Sequence, residues 1–200
     1  MALYHLESVD YKLRQINTRC FICSELVKSR RRITWGYGNP NSKIMFIGEA
    51  PGRFGCDITG IPFTLDASGM LFQEALDSIG WSMEDIYTTN IVKCCPLNNR
   101  TPSEEEITHC SMYVEHEIDV IKPIMVVLLG GVAMKYFFPK AKSVTGNWNR
   151  ELSHPMHEGI TFIVLPHPAY IVRNKREKDG YFRDFLVIKT KLSEMIEEKR

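Results

Sequence analysis

Short continuous apolar runs, separated by helical patterns, constrain the fold of this chain most strongly. The run Ile124–Leu129 contains β-branched residues and no polar position, which is typical of a strand buried on both faces of a parallel sheet. Further strands are predicted at about 43–48, at 86–89 and at 161–165. Because helical patterns fall between the strands, we predict an α/β fold: a three-layer α/β/α sandwich around a central, mostly parallel four-stranded sheet, in a single domain over residues 1–200.

The helices are predicted from apolar periodicity and from end signals. Apolar residues recur at helical spacing over 67–79, and Gly80 ends that helix. Ser103 and Glu106 have the spacing of a capping box, so a second helix is predicted from there to about Ile121. The remaining helical patterns lie at 7–19, where the periodicity is weak, at 130–138 and at 180–197.

Composition and charge limit the classes of partner. The chain has 200 residues, is 44% hydrophobic and carries a formal net charge of +1, which suits a globular protein and disfavours coating nucleic acid by bulk charge. Two basic stretches, Lys28–Arg32 and Arg173–Lys178, are either solvated surface or local nucleic-acid contacts. The apolar runs are too short to span a bilayer, and the first residues lack the pattern of a secretory signal. We expect an intracellular monomer, cytoplasmic or nucleoid-associated, without membrane contacts.

Unusual segments follow the predicted strands. The stretch Gly48–Gly69 reads GEAPGRFGCDITGIPFTLDASG and leaves the first strand, while TTN ends the second and PHPAY follows the last. Ligands of open parallel sheets bind beyond the carboxyl ends of the strands. We therefore expect a ligand site where these three segments meet, with glycines allowing the backbone to approach the ligand closely.

The spacing of the cysteines suggests a metal centre. Cys20 and Cys23 form a C-x-x-C pair, and a second set, Cys94, Cys95 and Cys110, lies in a distant segment, where Cys94 and Cys110 are sixteen positions apart. Two near and two distant cysteines would make a site of four thiols. Four sulfur ligands suit either zinc or an iron–sulfur cluster, and spacing does not separate the two. A Cys/His zinc finger is disfavoured on the premise that no histidine lies close to these cysteines. The simpler alternative is that the cysteines are small buried hydrophobic residues.

Several motifs in a fixed order carry a family resemblance. They are GEAPG, G-x-PF, T-N-x-x-K-C-x-P-x-x-N-R-x-P-x-x-E-E-x-x-x-C and HPAYIVRN. Together they resemble the iron–sulfur uracil-DNA glycosylases of families 4 and 5, over roughly Cys20 to Asn174. Glu49 and HPAYIVRN are similar to family 4, whereas the longer glycine-rich loop ending in DASG follows family 5. Cys56-Asp57 stands where family 4 usually has a Glu-Asp pair whose Glu is associated with exclusion of thymine.

The resemblance implies a fold, an activity and a cofactor. It implies a uracil-DNA glycosylase-like domain and a monofunctional enzyme that flips uracil, or another deaminated base, out of DNA and hydrolyses its N-glycosidic bond, which initiates base-excision repair. The implied partner is DNA containing such a base. The implied cofactor is a [4Fe-4S] cluster, preferred to zinc, on Cys20, Cys23, Cys94 and Cys110. The alternative is a non-catalytic nucleic-acid-binding module stabilised by a metal or cluster.

The resemblance also implies three catalytic residues. Glu49 would orient the attacking water, as in family 4. Asp66 is its rival by similarity to family 5, and its structural alternative is a plain helix N-cap. His167 would stabilise the leaving base, and its alternative is a structural histidine.

Five further positions are candidate substrate contacts: the resemblance implies Asn90 and Phe63, whereas Gly48, Gly130 and Arg173 are assigned from residue type and place in the chain. Asn90 would read the Watson–Crick edge of uracil with its amide, and Phe63 would stack on the base. Gly48 would let the backbone approach the nucleotide. Gly130 would either bind a phosphate through free amides or serve tight packing. Arg173 would lie where DNA passes.

A DNA-inserting wedge is predicted by position alone. Ile171 or Val172, just beyond the histidine, would fill the gap that base flipping leaves.

Overall fold

Six strands form one sheet in the computed structural model, which describes residues 20–199; the helix predicted at 7–19 lies outside that range. The strands are β1 (Tyr37–Gly38), β2 (Ile44–Gly48), β3 (Tyr87–Asn90), β4 (Met125–Leu129), β5 (Glu151–Ser153) and β6 (Thr161–Leu165). Their order across the sheet is β1-β3-β2-β4-β6-β5. The four central strands pair in parallel, and the two edge strands pair antiparallel to their neighbours.

Helices occupy the connections between the strands. They are α1 (Ser24–Ser29), α2 (Cys56–Thr59), α3 (Ala67–Asp77), α4 (Glu104–Ile121), α5 (Gly131–Phe137), α6 (Val144–Asn147), α7 (Pro168–Arg173) and α8 (Lys178–Glu198), with 3₁₀ turns at Leu97–Asn99 and Lys175–Glu177.

Both faces of the sheet are covered. Along β2, Ile44 and Phe46 belong to one core together with residues of α3 and α8. Met45 and Ile47 belong to a second core, together with residues of α4 and α5. Every residue of β2 and β4 is buried, which explains why these strands lack polar alternation. The predicted three-layer α/β/α architecture is confirmed.

The long elements also match the sequence analysis. The capping box of α4 is present: Ser103 Oγ accepts from Glu106 N at 3.2 Å, and Glu106 Oε2 accepts from Ser103 N at 2.8 Å. The sheet is wider than predicted, because β1 and β5 were not expected. These strands have two and three residues, too few for an alternation signal. A single domain over the whole chain stays a prediction.

Among the helices of residues 20–199, none is long and apolar enough to cross a membrane.

Candidate active site

A pocket of about 370 Å³ lies beyond the carboxyl ends of the parallel strands. Its volume is within the range of small-ligand sites. Its walls come from the loops after β2, β3 and β6, and they include Glu49, Asp66, Asn99, Arg100, His167 and Arg173. Glu49 and His167, from two of the three unusual segments, therefore line one cavity, whereas no residue of the third segment, Thr88–Asn90, lines it.

Glu49 directly follows β2 and is partly buried. This burial raises the pKa of its carboxyl above the usual range. The Glu49 carbonyl accepts a hydrogen bond from Val92 N at 3.0 Å, so its backbone is fixed to the segment after β3. A partly buried carboxylate on a fixed backbone is a suitable acceptor for a proton of water.

Asp66 caps α3 and also lines the pocket. Its Oδ1 accepts hydrogen bonds from Gly69 N at 2.8 Å and from Ser68 Oγ at 2.6 Å. Its Oδ2 packs against backbone: a Cβ atom added at Gly52 or Gly55 would lie 2.8 Å or 2.6 Å from it. Asp66 therefore serves as an N-cap, whatever chemical role it has.

His167 is held as a neutral ring with a defined tautomer. Its Nδ1 accepts a hydrogen bond from Ala169 N at 3.2 Å. Since a backbone N–H only donates, the proton of the neutral imidazole lies on Nε2. Burial lowers the pKa of His167 to about 4, although the nearby Asp66 opposes this shift. His167 is thus a neutral hydrogen-bond donor at physiological pH.

Gly130 packs against that histidine. It has a φ of +93°, and a Cβ atom at this position would lie 3.0 Å from His167 Cβ. Its N–H donates to Leu165 O at 2.9 Å across the ends of β4 and β6. This close approach favours the packing interpretation of Gly130 over the phosphate-binding one.

Asn90, Gly48 and Phe63 meet beside the pocket. Asn90 ends β3 opposite Gly48 of β2 and is buried. A Cβ atom at Gly48 would lie 2.5 Å from Asn90 Oδ1 and 2.9 Å from Phe63 Cζ. The Phe63 ring packs on Phe72, with ring centroids 4.5 Å apart, and lies 6.1 Å from the His167 ring. Phe63 is therefore a core residue that reaches the edge of the site.

The helix after His167 corrects one prediction. Ile171 in α7 is only 1% exposed and belongs to the core on the α3 and α8 face. Its prediction as a DNA wedge is wrong, because it lies on the buried side of the helix. Val172 is partly buried, and Tyr170 is 43% exposed. Arg173 is exposed and lines the pocket.

The rim of the pocket is cross-linked by hydrogen bonds. Arg53 N donates to Asn99 Oδ1 at 2.8 Å, and Arg53 Nη1 donates to Asn98 Oδ1 at 3.1 Å. Both asparagines have a φ of +55°, a left-handed conformation that asparagine tolerates better than most residues. The loop after β2 is thereby fixed to the 3₁₀ turn after β3.

The four predicted ligand cysteines converge. Cys20, Cys23, Cys94 and Cys110 line one small pocket, between the start of α1 and the first half of α4. The other two cysteines, Cys56 and Cys95, are buried and do not line it. Within residues 20–199, no group of three or more His, Cys, Asp or Glu side chains is close enough to hold a single metal ion.

Nitrogen donors and a histidine surround this cysteine pocket. Arg30 Nη1 donates to Cys94 Sγ at 3.0 Å, and Lys93 N donates to Cys110 Sγ at 3.2 Å. Such N–H···S bonds are the outer contacts that hold and tune thiolate ligands of metals. The His109 Nδ1 lies 3.9 Å from Cys23 Sγ, so the premise that no histidine is near the cysteines is wrong.

Comparison with known proteins identifies the family. The family model of the uracil DNA glycosylase superfamily matches residues 35–187, which include the pocket and two of the four converging cysteines. The chain belongs to the uracil DNA glycosylase superfamily.

Characterised members of this superfamily align with most of the chain. A type-4 uracil-DNA glycosylase of Archaeoglobus fulgidus is 34% identical and covers 90% of this chain and 91% of its own length. Another type-4 enzyme, from Thermotoga maritima, is 38% identical over 78% of this chain and 80% of its own. A type-5 uracil-DNA glycosylase of Pyrobaculum aerophilum is 31% identical over 63% and 67%. The resemblance to both families is confirmed.

Two features of this superfamily member were missed by the sequence analysis. Arg30 belongs to a basic stretch interpreted as either solvated surface or a nucleic-acid contact, yet its guanidinium binds Cys94 Sγ and donates to Cys20 O at 2.7 Å. Lys93 is only 1% exposed and forms a buried ion pair with Glu117. A signal was present in both cases, since each basic residue lies within ten positions of a predicted ligand cysteine.

Proposed function

We propose that this chain is a monofunctional uracil-DNA glycosylase. The observation that carries the proposal is the single pocket shared by Glu49 and His167 next to the buried amide of Asn90. A glycosylase of this kind needs a group that orients water, a donor to the leaving base and a reader of the flipped base. The type-4 relatives, which span most of the chain, support the same activity.

In the proposed reaction, Glu49 orients the water that attacks the sugar carbon. Its raised pKa keeps the carboxylate a better proton acceptor than an exposed glutamate, and its charge also stabilises the cationic sugar of the transition state. Asp66 lines the same pocket and adds a second negative charge there. Because Asp66 is engaged as a helix cap, we assign the water to Glu49.

His167 acts on the departing base. Its Nδ1 is occupied by Ala169 N, so Nε2–H is the group that would donate to the O2 atom of uracil as negative charge develops on the base. A neutral donor suits this role, because it needs no proton uptake at physiological pH.

Base recognition falls to Asn90 and Phe63. The Asn90 amide offers one donor and one acceptor, which match the O4 and N3–H of uracil. Phe63 provides an aromatic ring beside Gly48, where the missing side chain lets the Asn90 amide and the Phe63 ring pack against the backbone. Arg173 lines the pocket and is exposed, so it can contact the DNA backbone. Arg100 also lines the pocket, but its guanidinium is paired with the Glu106 carboxylate, at 2.8 Å and 2.6 Å.

We further propose that Cys20, Cys23, Cys94 and Cys110 hold a [4Fe-4S] cluster. The donor set fits, since four thiols converge on one pocket that also carries the Arg30 and Lys93 donors. The cluster would supply a covalent tie between the start of the described chain and α4. The protein itself supplies the positive charge and N–H donors that stabilise the thiolates. Purified protein should absorb broadly in the visible range and contain iron and sulfide; stoichiometric zinc in a colourless protein would contradict this assignment.

One assay tests the enzymatic proposal. Duplexes carrying a single uracil are incubated with the protein, and abasic sites are then cleaved with alkali. We expect strand scission at uracil that is absent from a matched cytosine duplex and strongly slowed in Glu49→Gln. A panel with hypoxanthine, xanthine and thymine mismatches measures the breadth of substrates. Binding without scission at any deaminated base would favour the non-catalytic module instead.

A further inference from the structure

Lys93 is a buried cation whose hydrogen-bonding capacity is fully used. It is 1% exposed, and its Nζ donates to Thr89 Oγ1 at 2.6 Å, to Asn90 O at 2.7 Å and to Glu117 Oε2 at 2.6 Å. Three donors on the ammonium thus meet three acceptors. Burying a lysine without such partners is costly, so this arrangement fixes the side chain in one position.

Glu117 anchors the other end of this network. Its Oε2 also accepts from Thr89 Oγ1 at 2.7 Å, and its Oε1 accepts from Gly36 N at 3.0 Å. The carboxylate lies on α4 and is 2% exposed. One buried ion pair therefore connects α4 to the end of β3 and to the segment that leads into β1.

The main chain of residue 93 faces the cysteine pocket. Lys93 N donates to Cys110 Sγ at 3.2 Å, and Cys94 is the next residue. Lys93 O accepts from Thr34 N at 2.8 Å, which fixes its peptide from the other side. A single residue thus touches the carbonyl of Asn90 through its side chain and a cysteine sulfur through its backbone.

We propose that Lys93, with Glu117, is a positioning residue that holds Asn90 in register for reading the flipped base. This inference rests on the proposed function. The carbonyl of Asn90 is fixed by the ammonium, and its amide is confined by Gly48, where a Cβ atom would lie 2.5 Å from Asn90 Oδ1. Without the ammonium, the carbonyl at the end of β3 loses a charge-assisted hydrogen bond. The Asn90 side-chain amide is then no longer held in a fixed position relative to the flipped base.

The alternative is that the pair only stabilises the fold. Both roles predict weaker activity when the pair is broken, so a loss of activity alone does not separate them. They differ in a double-mutant cycle, because a residue that acts through Asn90 has no further effect on recognition once the Asn90 amide is absent.

The test uses the full chain with its metal centre. The paired variant Lys93→Met/Glu117→Gln removes both charges, which avoids an uncompensated buried ion. Glu115→Gln is the matched control: Glu115 lies on the same helix and accepts from Tyr136 Oη at 2.6 Å, away from the cysteines and Asn90. Circular dichroism and metal content establish that each variant is folded and loaded.

The readout is discrimination between uracil and cytosine. Binding is measured to duplexes whose 2′-fluorinated sugar resists cleavage, and kcat/KM is measured on ordinary uracil duplexes. We expect the paired variant to lose roughly tenfold in discrimination, comparable to Asn90→Ala. The combined triple variant should lose no more than Asn90→Ala alone, and Glu115→Gln should match wild type.

The outcomes separate the two proposals. If wild-type protein neither cleaves nor discriminates uracil, the proposed function fails and this inference fails with it. If wild type is active but the losses of the paired variant and Asn90→Ala multiply in the triple variant, the proposed function stands and Lys93 is only structural. Unchanged discrimination in a folded paired variant likewise overturns the inference.

Discussion

Gly130 and His167 meet where β4 and β6 end, and a Cβ atom at residue 130 would lie 3.0 Å from His167 Cβ. The ring is therefore positioned from two sides, by this close backbone approach and by its own bond to Ala169 N. The absence of a side chain at 130 is part of the geometry of the proposed leaving-group donor.

Gly130→Ala should lower both stability and excision. The φ of +93° strains an alanine by about 1–3 kcal/mol, and its methyl group displaces His167. Urea denaturation measures the first effect and single-turnover excision the second. Gly159→Ala is the control, since Gly159 has a φ of +80° with nothing within 4 Å of its added Cβ. That variant should lose stability alone; equal excision rates in both would show that the contact does not position the histidine.

Acid should destabilise the protein partly through His167. Its pKa of about 4 in the folded state lies below the value of about 6.5 expected when unfolded, so only the unfolded chain gains this proton between those pH values. The contribution of His167 to the free energy of unfolding is complete above pH 6.5 and falls by about 3 kcal/mol as pH drops to 4. Urea unfolding at pH 7.5 and 4.5 should show a smaller acid loss in His167→Asn than in wild type. Identical losses would contradict the neutral state of the ring.

Glu49→Gln and Asp66→Asn separate the two pocket carboxylates. Glutamine keeps the size of Glu49 but accepts no proton, so excision should slow by about 10²- to 10⁴-fold. Asparagine is as good an N-cap as aspartate, so Asp66→Asn should keep its stability and reveal only a chemical role. Asp66→Ala should instead cost about 1 kcal/mol through the lost cap. A larger rate loss in Asp66→Asn than in Glu49→Gln would assign the water to Asp66.

Gly48→Ala should impair base reading. The added methyl would lie 2.5 Å from Asn90 Oδ1, so the amide must move. We expect weaker discrimination of uracil from cytosine in duplex binding. Gly131→Ala is the control, because its nearest neighbour is a Val144 methyl carbon at 4.0 Å. Wild-type discrimination in Gly48→Ala would argue that the Asn90 amide does not read the base.

Cys110→Ala and Cys56→Ala distinguish ligand from buried cysteine. Both thiols are buried, and burial raises the pKa of each to about 12. Only Cys110 lines the four-cysteine pocket. Iron content measured by elemental analysis should fall in Cys110→Ala and stay at the wild-type level in Cys56→Ala. Full iron loading of both variants would remove Cys110 from the ligand set.

The sequence predicted the central sheet well, because completely buried parallel strands leave continuous apolar runs such as Ile124–Leu129. It also predicted a ligand site at the correct edge of the sheet, because the carboxyl ends of all parallel strands lie at that edge. Some short elements, such as β1 and α7, were missed because two and six residues are too few to show a clear alternation or helical pattern.

Side-chain direction was the harder problem. Ile171 was assigned to the DNA surface from its place in the chain, but the six-residue helix α7 turns it into the core. Arg30 was assigned to solvent or to a nucleic-acid contact from its charged neighbours, although the thiol of Cys94 offers its guanidinium a partner. In both cases contacts between distant segments decided the orientation, and local composition does not encode them.

The hydrogen bonds from Arg53 to Asn98 and Asn99 make the rim of the pocket rigid, so it changes shape little when a duplex binds. The DNA must then supply the distortion, and base pairs differ in the free energy that their opening requires. The rate of excision should accordingly increase with the ease of base-pair opening at the lesion. Uracil opposite guanine or in a single-stranded stretch should be excised faster than uracil paired with adenine.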